Sequence, residues 1–303
     1  MTTALKRAER SKLPTSAGEK AFDILNILIL TLVMLVVLYP LWFIIIASLS
    51  DPAAVLRGEV LLLPKGFNFE AYRRVMQHQD ILRSYANSLF YTITGTVLGI
   101  VLSVCAAYPL ARKDMRGRKF ITAFFLFTMF FSGGIIPKYL VVSNLGMLDT
   151  ILAVILPNVI TMYNVIIVRT YFENSIPWEI QEAAIIDGCS DFRLLTQIVL
   201  PLSKPVLAVV ALFYGVANWN AYFEAMMHLT TRAKFPLQLI VRELLILNSM
   251  GESLSSTTSS SQVLMGQGIK YAVVVVASIP ILIVYPFVQR HFIKGVMIGA
   301  VKG

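Results

Sequence analysis

Six apolar stretches of about twenty residues recur along this chain, and that length is what an α-helix needs to cross the hydrocarbon of a bilayer. They cover residues 22–48, 84–110, 120–142, 151–171, 205–226 and 269–290. Backbone in lipid must satisfy its own hydrogen bonds, so the expected fold is an all-α integral membrane protein with six transmembrane helices. A content of 57% hydrophobic and only 14% charged residues excludes a soluble domain. The third stretch is interrupted by Ser132-Gly133-Gly134 and Pro137. Two readings fit: a backbone break lining a wet cavity, or an early exit followed by a loop over residues 132–149.

Orientation follows from the basic residues. Lys6, Arg7, Arg10, Lys12 and Lys20 precede the first stretch, which argues for a cytoplasmic N-terminus. That stretch lacks a small-residue cleavage site, so it reads as a retained span rather than a signal peptide. The next cytoplasmic loop, residues 111–119, holds Arg112, Lys113, Arg116, Arg118 and Lys119 against Asp114. Six spans then return the C-terminus, with Arg290 and Lys294, to the cytoplasm. The net charge of +9 is accounted for by these flanks and by anionic lipid. No basic stripe interleaved with aromatics lies outside the spans, so nucleic acid is not an expected partner. Cys105 in a span and Cys189 on the cytoplasmic side are not expected to pair.

The chain divides into a basic tail (1–21), a first helix with its external loop (22–82), a helical core (83–291) and a short C-terminal tail (292–303). Two external segments, 49–83 and 228–268, are longer than a hairpin needs. The first carries an amphipathic stretch near 69–76, and the second a low-complexity run, 253–261. Contact with a soluble external partner and simple tolerance of loop length both fit. No internal repeat is evident. Gly95-x-x-x-Gly99 in the second stretch would allow close helix packing.

Between the fourth and fifth stretches lies a polar, helix-forming insert, residues 182–205. Ser175 and Pro177 signal a helix start, with Glu179 and Glu182 in its early turns. Asp187-Gly188 is a natural stop, because Gly takes the left-handed C′ conformation. Ser190 or Asp191 can cap a second helix, 192–200, ended by Pro201. Ile180, Ala183, Ala184 and Asp187 share one face, as do Phe192, Leu195 and Val199. The two alanines would let a partner surface approach closely. Each helix alone is also what an ordinary amphipathic loop looks like.

Nothing suggests an enzyme. His78, His228 and His291 are far apart, without metal-ligand spacing to other residues, and no nucleophile elbow is present. No G-x-x-x-x-G-K-[S/T] loop occurs either, so any ATP must be bound by another chain. The fifth stretch ends in Asn218-Trp219-Asn220-Ala221-Tyr222-Phe223-Glu224. Asn218 would lie roughly 20 Å along that helix, in the outer half of the bilayer. Continued as a helix, Asn218 shares a face with Tyr222, Trp219 with Phe223, and Asn220 with Glu224 at the rim. Aromatic rings beside amides suit a sugar, whose C–H faces stack while its hydroxyls seek donors and acceptors. An interfacial aromatic belt with interhelical amide bonds is the other reading.

The insert resembles the EAA loop of permease subunits of bacterial ABC importers, carried here by Glu182, Ala183, Ala184, Asp187, Gly188, Ile198, Leu200 and Pro201. Cys189 stands where that family usually has Ala. Residues 82–303 resemble the maltose-type permeases of the carbohydrate uptake transporter-1 family. Asn87-Ser88-Leu89, the run from Ala106 to Arg112, and the tail Phe292-Ile293-Lys294-Gly295 with Gly299 to Gly303 carry that likeness. Residues 132–150 and 219–225 look most like a sub-branch associated with complex oligosaccharides, including uronic-acid or plant-wall sugars. The resemblance implies a cytoplasmic coupling-helix loop between spans 4 and 5, with Glu182, Ala183, Ala184, Asp187, Gly188, Phe192 and Pro201 at the ATPase contact. It implies a second homologous permease, two cytoplasmic ATPase subunits that bind ATP and Mg, and an external sugar-binding protein. Oligosaccharide would pass near Asn218, Trp219, Asn220, Tyr222 and Phe223, with no cofactor or metal in this chain and the bacterial cell membrane as its site. A permease for glycerol phosphate, peptide or another solute is the alternative within that class; a channel or structural membrane subunit is the alternative outside it, and a membrane enzyme comes third.

Overall fold

The computed structural model describes residues 17–77, 79–253 and 268–286. The expected N-terminal basic residues before Lys20, His78, most of the low-complexity run, His291, Arg290 and the C-terminal tail lie outside them. The described residues form helices and turns.

Three helices are long and apolar enough to cross a bilayer unbroken: α1 (Ala17–Ser48), α4 (Gln79–Ala111) and α15 (Gly268–Pro286). Three more spans are possible as bent pairs. Helices α5 (Arg118–Phe130) and α6 (Ile135–Asn144) meet at 111°. Helix α7 (Ile151–Ile155), extended by a 3-10 turn at Leu156–Asn158, meets α8 (Met162–Ser175) at 51°. Helix α12 (Lys204–Trp219) meets the short helices that precede it at 83°. Of the two readings of the third stretch, the first pair matches a backbone break and not a loop over 132–149: the chain breaks at 131–134 and is helical again from Ile135.

Helix α1 is apolar all round, and almost every side chain from Phe22 to Leu41 is exposed in the isolated chain, as suits a helix whose environment is lipid or another membrane chain. The segment after it holds α2 (Pro52–Leu56), started by Pro52 and capped by Asp51, and α3 (Glu70–Gln77). The amphipathic stretch read in the sequence is α3, with Ala71 and Val75 buried.

Helix α4 is the axis of the bundle. Its Gly95-x-x-x-Gly99 pair is spent inside the chain. A Cβ at Gly95 would lie 2.9 Å from Asn218 Nδ2, and one at Gly99 would lie 2.8 Å from the Val159 carbonyl oxygen. Only hydrogen at these positions lets α12 and the bent fourth span come so near. The main core follows: Val104, Ala107 and Leu110 of α4 pack with Val165, Val168 and Phe172 of α8 and with Val206 and Val210 of α12. A second core gathers Ile81, Trp219, Leu237, Ile240, Ala272 and Val273. Leu237 and Ile240 belong to α14 (Leu237–Ser253), a helix inside what the sequence presents as a long external loop.

Candidate functional site

Two regions carry polar chemistry, one at the insert and one beside the middle of α4. The first is the insert. Helix α9 (Trp178–Ile186) starts after Pro177 and ends as expected at Asp187-Gly188. Gly188 has φ 76°, its N–H bonds the Ile185 carbonyl at 3.0 Å, and the Cys189 N–H bonds the Ala184 carbonyl at 2.9 Å. This is a Schellman ending, and it needs the left-handed residue that glycine supplies. Ser190 then caps α10 (Asp191–Leu194), its hydroxyl accepting from the Arg193 N–H.

Pro201 does not end that second helix. A π turn at Leu195–Val199 leads into α11 (Leu200–Leu202), with Pro201 inside it, and the chain turns at Ser203. Proline has no N–H for the carbonyl four residues earlier, and a widened turn accommodates the ring. The faces also differ from expectation. Ala184 is buried in the chain's own core with Leu194 and Val199, while Ala183, Glu182 and Asp187 face outward. Phe192 is not on the Val199 side; it is 77% exposed, and Ile186 is 85% exposed. Two large apolar side chains so fully uncovered at a polar end of the molecule mark a contact surface.

Arg112, just past α4, ties this insert to the bundle. Its guanidinium reaches Asp191 (Nη1–Oδ1 2.5 Å), Asp114 (Nη2–Oδ2 2.5 Å) and the Tyr108 hydroxyl (3.3 Å). The bond to Asp114 holds Arg112 above its ordinary range and Asp114 below the usual carboxylate range. Arg118 pairs with Glu173 of α8 at 3.2 Å, and Arg169 donates to the Leu110 carbonyl at 3.1 Å. The ends of α4, α5, α8 and α10 are thereby one cross-braced unit.

The second region surrounds the break in the fourth span. A cleft of about 550 Å³ opens there, bordered by Asn158, Thr161, Asn164, Tyr163, Phe213 and Asn218 among others. Thr161 is the residue before α8, and its N–H, freed by the break, donates to the Tyr214 hydroxyl at 3.0 Å; that hydroxyl also bonds Ser103 at 2.7 Å. Asn164 is 3% exposed, and its Oδ1 has no partner among the described residues. An acceptor buried without a donor is costly, and here it borders a cavity large enough for a small ligand.

The five residues expected to line one pathway do not come together, because the helix carrying them breaks. Helix α12 ends at Trp219, and α13 (Phe223–His228) starts after Tyr222. Asn218 borders the large cleft. Trp219 is 3% exposed; its indole N–H donates to the Ala277 carbonyl at 3.0 Å, so it is a core residue. Asn220 borders a separate cavity beside α15, with Gln238 and Ser278. Tyr222 stacks under Arg242, 5.6 Å from ring centroid to guanidinium. Phe223 borders a smaller cavity of about 230 Å³, with Ser132, Gly134 and Lys138 at the break in the third span.

Glu224 is not a rim charge. It is 7% exposed, and its Oε1 accepts from Lys138 Nζ at 2.6 Å and Asn158 Nδ2 at 2.9 Å. Lys138, Asn158, Asn164 and Tyr163 escaped the sequence reading, although Asn158 and Asn164 inside an apolar run were the available signal, since amides at that depth need a reason.

Residues 95–298 match the family described as "Binding-protein-dependent transport system inner membrane component". The chain is 43% identical over 289 residues to Protein LplC of Bacillus subtilis (strain 168), covering 95% of this chain and 97% of that protein. It is 41% identical over 284 residues to the polygalacturonan/rhamnogalacturonan transport system permease protein YtcP of the same organism, covering 94% and 99%. A solved chain of a bacterial ABC transporter involved in the import of the acidic polysaccharide alginate superposes with a TM-score of 0.83 at 35% identity, covering 92% of this chain and 99% of that one. With so long a match and so close a set of relatives, the chain belongs to the family of inner membrane components of binding-protein-dependent transport systems.

Proposed function

We propose that this chain is a permease subunit of an ABC importer that moves oligosaccharide, with uronate-containing plant-wall sugars as the favoured class, into the cytoplasm. The observation that carries the substrate reading is the cleft at the fourth-span break. Amides of Asn158, Asn164 and Asn218 stand there beside the rings of Tyr163 and Phe213, the mixture that sugar hydroxyls and C–H faces require. The relatives that transport polygalacturonan and alginate support the acidic class.

In this reading the N- and C-termini and the α9–α11 insert face the cytoplasm. Glu182, Ala183, Asp187, Gly188 and Phe192 meet a groove on one of two ATPase subunits, which bind ATP and Mg. Ala184 acts from within, fixing the packing of the insert, while the exposed Pro201 shapes its bend. ATP-driven closure of the ATPase pair would move the insert as a rigid lever, and Arg112 would pass that motion to α4. A second, homologous permease completes the pathway, and an external sugar-binding protein delivers the substrate. No cofactor is assigned to this chain.

The test is co-expression with the ATPase, second permease and receptor encoded beside it, followed by reconstitution in liposomes. ATP-dependent accumulation of short oligogalacturonates is expected. Failure of a Walker-motif ATPase to copurify, or uptake indifferent to ATP, would overturn the proposal.

A further inference from the structure

We infer that Lys138 and Glu224 form an exchangeable ion pair that selects acidic sugars, a substrate carboxylate replacing Glu224 on Lys138 during passage; this rests on the oligosaccharide reading above. Lys138 Nζ lies 2.6 Å from Glu224 Oε1 and 2.9 Å from Asn158 Oδ1. Glu224 borders both cavities, the smaller one together with Lys138 and the larger cleft together with Asn158. These three side chains are therefore the wall between the two spaces. Helices α6 and α13 also meet there through the stacked rings of Tyr139 and His228, with centroids 5.8 Å apart. Among the described residues bordering the two cavities, Lys138 is the one Lys or Arg.

The chemistry favours exchange over simple addition. A uronate leaving water needs a cation or several N–H donors, or its burial is prohibitive. Lys138 supplies the cation, but Glu224 already occupies it. Glu224 has another donor in place, Asn158 Nδ2 at 2.9 Å from Oε1, and His228 Nδ1, which bonds the Glu224 backbone carbonyl at 3.0 Å, also lies 3.4 Å from Oε2. Releasing Lys138 to the substrate therefore leaves Glu224 with partners, and the number of charge-assisted bonds is conserved. A neutral sugar offers only hydroxyls, which do not match the bond it would break. The wall then stays closed to it.

The experiment uses the reconstituted assembly, with receptor and ATPase, and short oligogalacturonates as free acids and as methyl esters. The readout is the ratio of acid uptake to ester uptake. Lys138→Gln is expected to lower that ratio roughly tenfold, the scale of one charge-assisted contact. Lys138→Arg, which keeps a cation, is expected to hold it. Glu224→Gln, which removes the competing carboxylate while keeping its shape, is expected to raise the ratio several-fold. Opposite signs for the two neutralised variants are the signature, because a merely structural pair would depress both sugars alike. A ratio unchanged in both variants, or lowered in both, overturns the inference. If Lys138→Gln fails to assemble, the Glu224→Gln arm decides alone, and a ratio that does not rise overturns it. Uptake of neither sugar by the wild-type assembly overturns the oligosaccharide reading and this inference with it; intact uptake with unmoved ratios overturns this inference only.

Discussion

Arg112 at the end of α4 sits 2.5 Å from Asp191 at the start of α10, joining the bundle's central helix to the insert proposed as its lever. The Arg112 side chain is 12% exposed and the Asp191 side chain 72%. A pair this open to solvent on one side contributes only about 0–1 kcal/mol to stability. Its value lies in geometry, since Asp114 and Tyr108 hold the guanidinium while Asp191 moves with α10. We therefore expect Asp191→Asn to leave the melting temperature nearly unchanged and to lower the number of sugars transported per ATP hydrolysed. Parallel assays of ATPase rate and uptake in liposomes check this. An unaltered ratio would show that the motion travels by another route.

Gly188 offers a sharper lesion in the same insert. No atom lies within 4 Å of a Cβ built there, so crowding is not the obstacle to substitution. The obstacle is φ of 76°, which for a β-branched residue costs about 1–3 kcal/mol. Gly188→Val should relieve that strain by re-aiming the chain between α9 and α10, away from the bundle core. Membrane expression and folding of the permease should persist while uptake falls and ATP hydrolysis continues. Gly188→Asn, which tolerates the left-handed region, should keep most of the uptake. Equal uptake by the valine variant and the wild type would refute the lever.

Asn164 separates stability from transport. Its buried Oδ1 lacks a donor among the described residues, and a buried acceptor in that state costs about 1–3 kcal/mol. Asn164→Leu removes the orphan atom at nearly constant volume. Thermal stability in detergent should therefore stay level or rise by about 1 kcal/mol. Sugar uptake should suffer instead, with KM rising roughly tenfold for the loss of one hydrogen bond to substrate. A destabilised variant with normal KM would mean that Asn164 is part of the frame and not of the cleft.

What the sequence disclosed and what it hid divide along one physical line. Hydropathy sums transfer free energy over a window, so it found the six apolar segments and the amphipathic α3. It is blind to direction, so Gly133-Gly134 left the 111° bend as one of two readings, and the 51° bend was hidden although Pro157 stood at it. The Schellman ending at Asp187-Gly188 was legible because one glycine conformation dictates it. Trp219 was misplaced in the pathway because helical periodicity was carried through Asn220. There the chain leaves the helix, and the Asn220 side-chain N–H bonds the Val216 carbonyl at 2.9 Å. Glu224 was underrated for a related reason. Its partners Lys138 and Asn158 are 86 and 66 residues distant in sequence, and no local pattern brings them to it.

Asp149 makes the end of the bundle away from the insert sensitive to acid. It sits in the loop between α6 and α7 with φ of 53°, and its carboxylate accepts from the backbone N–H groups of Thr230 and Thr231 at 3.1 and 2.9 Å. Lys234 Nζ lies 2.8 Å from Oδ2. The same segment is fastened to α4, where Asn87 donates to the carbonyls of Ala233 and Phe235 and Tyr91 to that of Lys234. Lys234 first, and then Thr231, hold the Asp149 carboxyl well below the usual carboxylate range. A depressed folded-state pKa stabilises the fold fully above the unfolded value of about 3.9, and that contribution is lost as pH falls through the lower folded value. Asp149→Asn keeps the shape and the tolerance for positive φ but removes the charge. The variant should melt below wild type at neutral pH, and the gap should close as pH drops beneath about 3.9. Melting curves in detergent across that range decide the matter, and a gap independent of pH would mean that the loop is held by its backbone bonds and not by the charge on Asp149.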